Sequence, residues 1–384
     1  MLPYSDFCLR NQAKARSLGK KIINYFVLRS LNRTFAPMNA RKRRMPAEWE
    51  PQSAVQLTWP HADTDWGSML PEITAVYKEI ALEISKREQL VVVAPEGTVQ
   101  LTVNGRIVNC QTNDTWARDH GFITVEESSS VNHEPLHILL DFCFNGWGEK
   151  FPAELDNQIN RHLYEQGIVK GIYEPHLDFV LEGGSIESDG KGTIFTTTCC
   201  LMAPHRNQPL SQTDIEERLK TFLGAERVVW LNHGSLIGDD TDGHIDTLVR
   251  ICPDDTLLYT GGDSDHPDLY EMEKELQDLR TLDGKPYRLL RLPLPRPIYD
   301  ESTPEGRTIG GGTAENNSRL PATYANYLVI NGAVLVPTYN QPDLDQQAMC
   351  IIGKAFPDRE IVGIDCRAVI QQHGSLHCCT MQYY

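Results

Sequence analysis

No stretch of this 384-residue sequence is apolar for long enough to cross a bilayer. The longest runs, such as Leu90–Pro95, fall far short of the roughly 20 residues a spanning helix needs. Zinc-type spacing is missing too: none of the ten cysteines stands in a C-x-x-C, and two pairs, Cys199-Cys200 and Cys378-Cys379, are adjacent. Ten in 384 is also too sparse for a disulfide scaffold. Those thiols fit a reducing cytoplasm, mostly buried, with one reactive. Basic residues are in short supply, 36 Lys and Arg against 52 Asp and Glu, a formal charge of −16. Such an acidic body repels polyanions, which argues against nucleic acid as a partner and for a small cation.

Acids are scarce in one place only. Residues 1–44 hold 11 Lys or Arg and a single acid, so residues 45–384 carry 25 basic against 51 acidic side chains, or −26. The segment reads poorly as a secretory signal, because Asn24 breaks the apolar Ile22–Leu28 and no small-residue cleavage site follows. Residues 1–44 are therefore expected to be a basic leader outside the fold: an organelle or membrane-surface address, or an overlong reading frame with Met38 or Met45 as the true start. Residues 45–384 are expected to form a single domain. Their composition, with 40% hydrophobic and 23% charged residues over the whole chain, is that of an ordinary globular protein.

Five segments have helical periodicity, and a short apolar strand follows each: Pro71–Arg87 before Leu90–Val93, Ala153–Glu165 before Ile168–Tyr173, Gln212–Phe222 before Val228–Leu231, Pro267–Leu279 before Arg288–Leu292, and Asp343–Ala355 before Ile361–Ile364. In the first, Ile73, Val76, Tyr77, Ile80 and Ile84 share one face. Between the helices lie strands expected to pair: Arg106–Cys110 with Gly121–Val125, Phe179–Leu181 with Thr193–Thr198, His244–Cys252 with Thr256–Tyr259, and Tyr327–Ile330 with Ala333–Val336. Two strands, a helix and a strand thus recur about five times, the mark of blades around an axis rather than of independent domains. The final strand, Leu376–Gln382, is expected to pair with the first, Val55–Trp59, and remove an exposed edge. Pro293–Pro297 and Gly310–Gly312 bracket the longest loop, expected to be a lid or rim.

Four clusters put charged or nucleophilic residues among apolar strands: Asn113-Asp114-Thr115-Trp116-Ala117-Arg118-Asp119, Glu182-Gly183-Gly184-Ser185, Asp239 to Asp246, and His373 to Thr380. Each has a plainer explanation: an Asp119–Arg118 pair, a surface glutamate beside a bulge, a structural His244–Asp246 hydrogen bond, a buried inert thiol. Together they put two aspartates, a glutamate, a histidine and a cysteine beside glycine-bearing strand ends, one cluster per repeat. That set suits one chemistry. Two aspartates grip a planar guanidinium through paired charge-assisted hydrogen bonds. A thiolate attacks its carbon, the cation itself helping to depress the thiol pKa. A histidine protonates the leaving ammonia and then deprotonates water, and a glutamate supports the histidine. A metal reading of His373, His377, Cys378 and Cys379 fails on spacing.

The motifs Trp116-Ala117-Arg118-Asp119, Glu182-Gly183-Gly184, Gly243-His244-Ile245-Asp246 and Gly374-Ser375-Leu376-His377-Cys378, in this order, resemble those of the agmatine deiminase and Porphyromonas-type peptidyl-arginine deiminase group of the guanidino-group-modifying (pentein) superfamily. The resemblance runs from Met45 to the C-terminus. It implies a five-bladed α/β propeller of ββαβ repeats with a central site and no metal or organic cofactor. It implies Cys378 as nucleophile, His244 as acid/base, Asp119 and Asp246 gripping the guanidinium, Glu182 supporting, and Trp116 and Trp147 flanking the substrate, with dimers or larger assemblies common. The implied activity is hydrolysis of agmatine to N-carbamoylputrescine and ammonia in putrescine biosynthesis. Deimination of peptidyl arginine or another guanidino compound stays open, because Asp239-Asp240-Thr241-Asp242 and His373-Gly374-Ser375-Leu376 depart from the usual agmatine deiminase pattern. An amidinotransferase and a non-catalytic guanidinium-binding protein are the other classes; the motifs fit a hydrolase better, and binding alone needs no thiol. Of the adjacent thiols, strand alternation turns only one toward the centre, and the family pattern makes that Cys378.

Overall fold

A computed structural model describes residues 42–99, 101–128, 135–300 and 319–384. Five sheets run through it. Strand β1 (Arg43–Arg44) edges a sheet with β5 (Ile123–Glu127), β6 (Leu136–Cys143) and β7 (Ile172–Val180). Strands β2 (Ala54–Thr58), β3 (Gln89–Ala94) and β4 (Arg106–Asn109) form another with β17 (Thr380–Tyr383). The remaining three are β8 (Glu187–Ser188) with β9 (Thr193–Thr197) and β10 (Arg227–Leu231), then β11 (Val249–Cys252) with β12 (Thr256–Thr260) and β13 (Arg288–Leu292), then β14 (Leu328–Ile330) with β15 (Ala333–Thr338) and β16 (Glu360–Asp365).

One connectivity repeats in all five: an antiparallel pair, a helix, and a third strand parallel to the second. The helices are α1 (Leu70–Ser85), α2 (Ile159–Glu165), α3 (Gln212–Leu223), α4 (Pro267–Asp278) and α5 (Pro342–Ala355), close to the five periodic segments. A parallel third strand requires such a crossover. In the sheet of β2 the antiparallel partner is β17, with Thr380 opposite Leu57 and Tyr383 opposite Ala54, so the last strand does pair with the first. Two of the expected hairpins, β11–β12 and β14–β15, form. The other two do not: β4 pairs in parallel with β3 and β5 pairs instead with β6, while Phe179 and Val180 end β7, which pairs with β6, and β9 takes β8 as its antiparallel partner.

Burial explains the patterns. Helix α1 turns Ile73, Tyr77, Ile80, Ala81 and Ile84 inward at offsets of three to four residues, each large side chain contributing roughly 2 kcal/mol. Central strands such as β2, β9, β12 and β15 are covered on both faces, which is why they read as continuous apolar runs and not as alternation. At the start of α3, Ser211 Oγ accepts from Asp214 N at 3.2 Å and Asp214 Oδ2 accepts from Ser211 N at 2.9 Å, a reciprocal cap. Gly224 closes the helix at φ 68°.

The described residues start at Lys42, inside the segment expected to be leader. Arg43 and Arg44, counted as leader, pair across the sheet with Glu127 and Glu126. Arg43 also bridges Glu174 at 2.8 Å, and Arg44 bridges Glu50 at 2.6 Å. These two basic residues neutralise acids of the body, so they belong to it. Residues 1–41 of the expected leader and the glycine run Gly310–Gly312 lie outside the described residues. Among the described residues no helix is long and apolar enough to cross a membrane.

Candidate active site

Short turns lead into β5, β8, β11 and β17, and five predicted site residues, Asp119, Glu182, His244, Asp246 and Cys378, sit in or beside them. Asp119 is in the helical turn Ala117–His120 ahead of β5. Glu182 precedes the turn Gly183–Ser185 ahead of β8. His244 and Asp246 flank Ile245 in the turn before β11, and Cys378 is in the turn His377–Cys379 before β17. Two local readings are thereby corrected. His244 and Asp246 do not share a strand face, since β11 begins only at Val249. Cys378 and Cys379 diverge because they lie in a tight helical turn, not through strand alternation.

The turns bring their side chains together at one glycine. A Cβ placed on Gly184 would lie 2.6 Å from His244 Nδ1, 2.9 Å from Asp119 Oδ1 and 3.2 Å from Asp246 Oδ2. The Gly184 N–H donates to Asp119 Oδ1 at 3.0 Å, and Trp147 Nε1 donates to Asp119 Oδ2 at 3.0 Å. His244 Nδ1 is 3.7 Å from Asp119 Oδ1. Cys378 Sγ lies 3.7 Å from Asp246 Oδ2. All five predicted groups, Asp119, Glu182, His244, Asp246 and Cys378, are buried, and Asp246 Oδ1 has no hydrogen-bond partner among the described residues.

Glu182 is held by Arg206, whose Nε approaches its carboxylate oxygens at 3.0 and 3.3 Å. Arg206 in turn donates to Asp242 Oδ2 at 2.6 Å and to the Thr241 carbonyl at 2.8 Å. A ligating atom of Glu182 lies within 4.8 Å of one on His244 and one on Cys200. Trp147 owes its position to a left-handed stretch: φ is 65° at Gly146, 56° at Trp147 and 86° at Gly148. A Cβ on Gly146 would stand 2.0 Å from the Phe151 carbonyl, so glycine is required there. Trp116 packs at 6.4 Å from the Trp147 ring and donates to Asp114 Oδ2 at 3.1 Å. Its ring fills the space a side chain on Gly374 would need.

Burying so many acids together tunes them. Burial raises the Asp119 carboxyl above its ordinary value against the pull of His244. Burial works against the His244 imidazolium, but the Asp119 charge, with Cys200 and then Glu182 adding to it, outweighs burial and raises the ring well above ordinary histidine. Burial, with Asp246 and Asp119 adding to it, raises the Cys378 thiol well above ordinary cysteine. Cys379 is also buried; its Sγ lies 3.4 Å from the Ser375 carbonyl, and burial pushes it up to about 12. The cluster therefore favours a neutral Cys378 thiol beside two buried aspartates.

Residues 44–383 match the family model of the Porphyromonas-type peptidyl-arginine deiminases. The chain belongs to this deiminase family. Its curated relatives include agmatine deiminases of Pseudomonas aeruginosa (strain LESB58) and Medicago truncatula, each 32% identical over 88% of this chain and 95% of the relative. Among solved structures, a chain from Porphyromonas gingivalis provisionally named an arginine deiminase is 47% identical, covering 89% of this chain and 98% of that one with a TM-score of 0.79. A substrate-bound cysteine-to-serine form of C. jejuni agmatine deiminase is 34% identical, covering 91% and 98% with a TM-score of 0.78.

Sequence reasoning missed several residues of this deiminase's cluster. Asn326, in the turn before β14, donates from Nδ2 to Cys378 Sγ at 3.3 Å and accepts from His377 N at 2.9 Å. Its position just ahead of β14, matching the turns that carry Asp119, Glu182, His244, Asp246 and Cys378 ahead of β5, β8, β11 and β17, was the available signal. Arg206, Glu48 and Arg250 gave none, because their partners are far away along the chain, and His377 stood out only as part of the motif that ends in Cys378.

Proposed function

We propose that this protein is an agmatine deiminase, hydrolysing agmatine to N-carbamoylputrescine and ammonia. The observation that carries the proposal is the convergence of Asp119, His244 and Asp246 on the space beside Gly184, with the Cys378 sulfur 3.7 Å from Asp246. A flat cation of guanidinium size, hydrogen-bonded by two carboxylates, satisfies that arrangement. The curated agmatine deiminases and the substrate-bound agmatine deiminase structure support the choice of substrate, as does the −26 charge of residues 45–384.

The chemistry follows from the groups present. Asp119 and Asp246 take the guanidinium N–H groups, and the bound cation offsets the acids that keep the Cys378 thiol neutral, so the thiol loses its proton as substrate arrives. The thiolate attacks the guanidinium carbon. The imidazolium of His244 gives its proton to the leaving nitrogen, the C–N bond breaks and ammonia departs, leaving an amidino-cysteine. His244, now neutral, takes a proton from water as the oxygen attacks. The C–S bond then breaks, freeing the thiolate and the ureido product. Overall, one guanidinium and one water give one urea group and one ammonium. Glu182, held by Arg206, keeps His244 charged, and Trp147 fixes Asp119. The same reading arranges the five sheets as five propeller blades around the site; the shared connectivity and the placement of site residues in the turns ahead of β5, β8, β11, β14 and β17 support it. The nine described cysteines, all free thiols, support a cytoplasmic location.

A second reading, deimination of arginine or peptidyl arginine, is favoured by the family's name and by the 47% identical Porphyromonas gingivalis chain. Purified protein given agmatine, arginine and an arginyl peptide separates the two by ureido product and ammonia. We expect agmatine to win, Cys378→Ala to abolish turnover and Cys379→Ala to keep most of it. Preference for the peptide overturns the substrate, and an active Cys378→Ala overturns the mechanism.

A further inference from the structure

We propose that Glu48 and His377 are positioning residues for Asp246, forming a carboxylate–imidazole–carboxylate relay that clamps one oxygen of Asp246 from behind and leaves the other for substrate. The proposal rests on the deiminase reading above, in which Asp246 grips the guanidinium.

The geometry is continuous. His377 Nδ1 lies 2.7 Å from Asp246 Oδ2, and His377 Nε2 lies 2.7 Å from Glu48 Oε2. Ionised carboxylates only accept hydrogen bonds, so the ring satisfies both when each nitrogen carries hydrogen. Glu48 is anchored independently. Its Oε1 accepts from Val329 N at 2.8 Å, and Oε2 accepts from Arg250 Nη2 at 2.7 Å. Arg250 also pairs with Glu187, donates to the Ala325 and Tyr327 carbonyls, and stacks over the Tyr327 ring at 4.5 Å. Its single positive charge is shared between the two glutamates, and its Nη2 also lies 3.1 Å from His377 Nε2.

Asp246 Oδ2 is thus fully engaged while Oδ1 is buried and unpartnered. The charged or titratable groups facing Asp246 are His377 and Cys378 from one turn, His244 from its own turn, Asp119 and Arg250. Those facing His377 are Asp246, Glu48, Arg250 and Glu187. Burial opposes the Asp246 charge, yet the His377 hydrogen bond and charge keep its carboxyl below the ordinary range. Burying this many ions is a poor route to stability, because well-packed apolar side chains would often serve as well. Its place directly behind a substrate-gripping carboxylate gives it a use.

The test is Glu48→Gln, which keeps an oxygen for Val329 N but removes the charge. The ring then loses one anionic partner and its hold on Asp246 Oδ2 loosens, which lets the Asp246 carboxyl rise. We expect KM for agmatine to rise about tenfold with kcat nearly unchanged, as for loss of an outer-shell partner of a binding group. The acid limb of kcat/KM should move up by about one pH unit, and Glu48→Asp should restore it. A second arm needs no turnover: nitrogen NMR of the free wild-type enzyme, with His377→Gln for assignment, should show both His377 ring nitrogens in hydrogen bonds, and Glu48→Gln should weaken the one at Nε2. An unchanged KM and pH profile in Glu48→Gln, a uniform loss that Glu48→Asp does not repair, or a wild-type His377 hydrogen-bonded at one ring nitrogen alone each overturns the relay. Failure of the wild type to turn over any guanidino substrate overturns the deiminase reading instead, and the NMR arm still decides the relay.

Discussion

Gly184→Ala tests the assembled site with a single carbon atom. Gly184 has no left-handed φ to lose, so any effect comes from space alone. The new methyl would stand 2.6 Å from His244 Nδ1, 2.9 Å from Asp119 Oδ1 and 3.2 Å from Asp246 Oδ2, where ordinary contact starts near 3.4 Å. These groups must retreat by about 0.8, 0.5 and 0.2 Å, or the turn must move; misplacement approaching 1 Å at reacting groups costs on the order of 100-fold. That is about 2.7 kcal/mol of barrier. Overpacking should also lower stability by about 1–3 kcal/mol. Initial rates of ureido product with agmatine, alongside thermal unfolding, measure both. Gly353→Ala is the control: it lies in α5, and its methyl meets Ile361 at 3.5 Å, so kinetics should hold while the helix gains about 0.5–1 kcal/mol. A Gly184→Ala enzyme with kcat/KM within about threefold of wild type would refute the convergence argument.

Labelling of Cys378 by iodoacetamide, followed by peptide mapping, should be slow at pH 7 and still accelerating above the ordinary thiol value of about 8.5, because burial, Asp246 and Asp119 keep the thiol protonated; a plateau below pH 8 contradicts this. Glu88 accepts from Asn331 N at 3.0 Å while its other oxygen is buried without a partner among the described residues, and burial pushes its carboxyl up to about 7. The fold therefore favours the protonated form, and stability falls as pH rises from the ordinary carboxyl value through 7. Glu88→Gln should raise the melting temperature at pH 8 and leave it unchanged at pH 5; equal shifts at both would refute the assignment. Removing residues 1–44 should cost about 2 kcal/mol more than removing residues 1–41, because the longer deletion takes the Arg43 and Arg44 ion pairs with it; identical melting curves would show those pairs to be idle.

Much of this was legible because local chemistry and the fold agree. The stripe from Ile73 to Ile84, the Ser211–Asp214 cap and the runs Leu90–Val93 and Leu257–Tyr259 specify helix or buried strand without help from distant residues. Glycine-rich corners marked the turns that carry Asp119, Glu182, His244 and Cys378. The misses share a cause. Strand β5 could pair with β4 or β6 on local grounds, and the choice is made by the packing of whole sheets. Glu48, 329 residues from His377 along the chain, looks like any surface glutamate near a terminus until the fold sets the two side by side. Arg43 and Arg44 look like leader charge until Glu126 and Glu127 arrive across the sheet.

Because the turns ahead of β5, β8, β11, β14 and β17 donate to the site, with Asn326 supplying the share of β14, the pocket works as a conjunction: all five parts must be in register or none is useful. Loosening any one sheet, even with the other four intact, should silence the enzyme. Activity will then vanish ahead of bulk unfolding on heating, and a fragment lacking one sheet will be inert however well it folds.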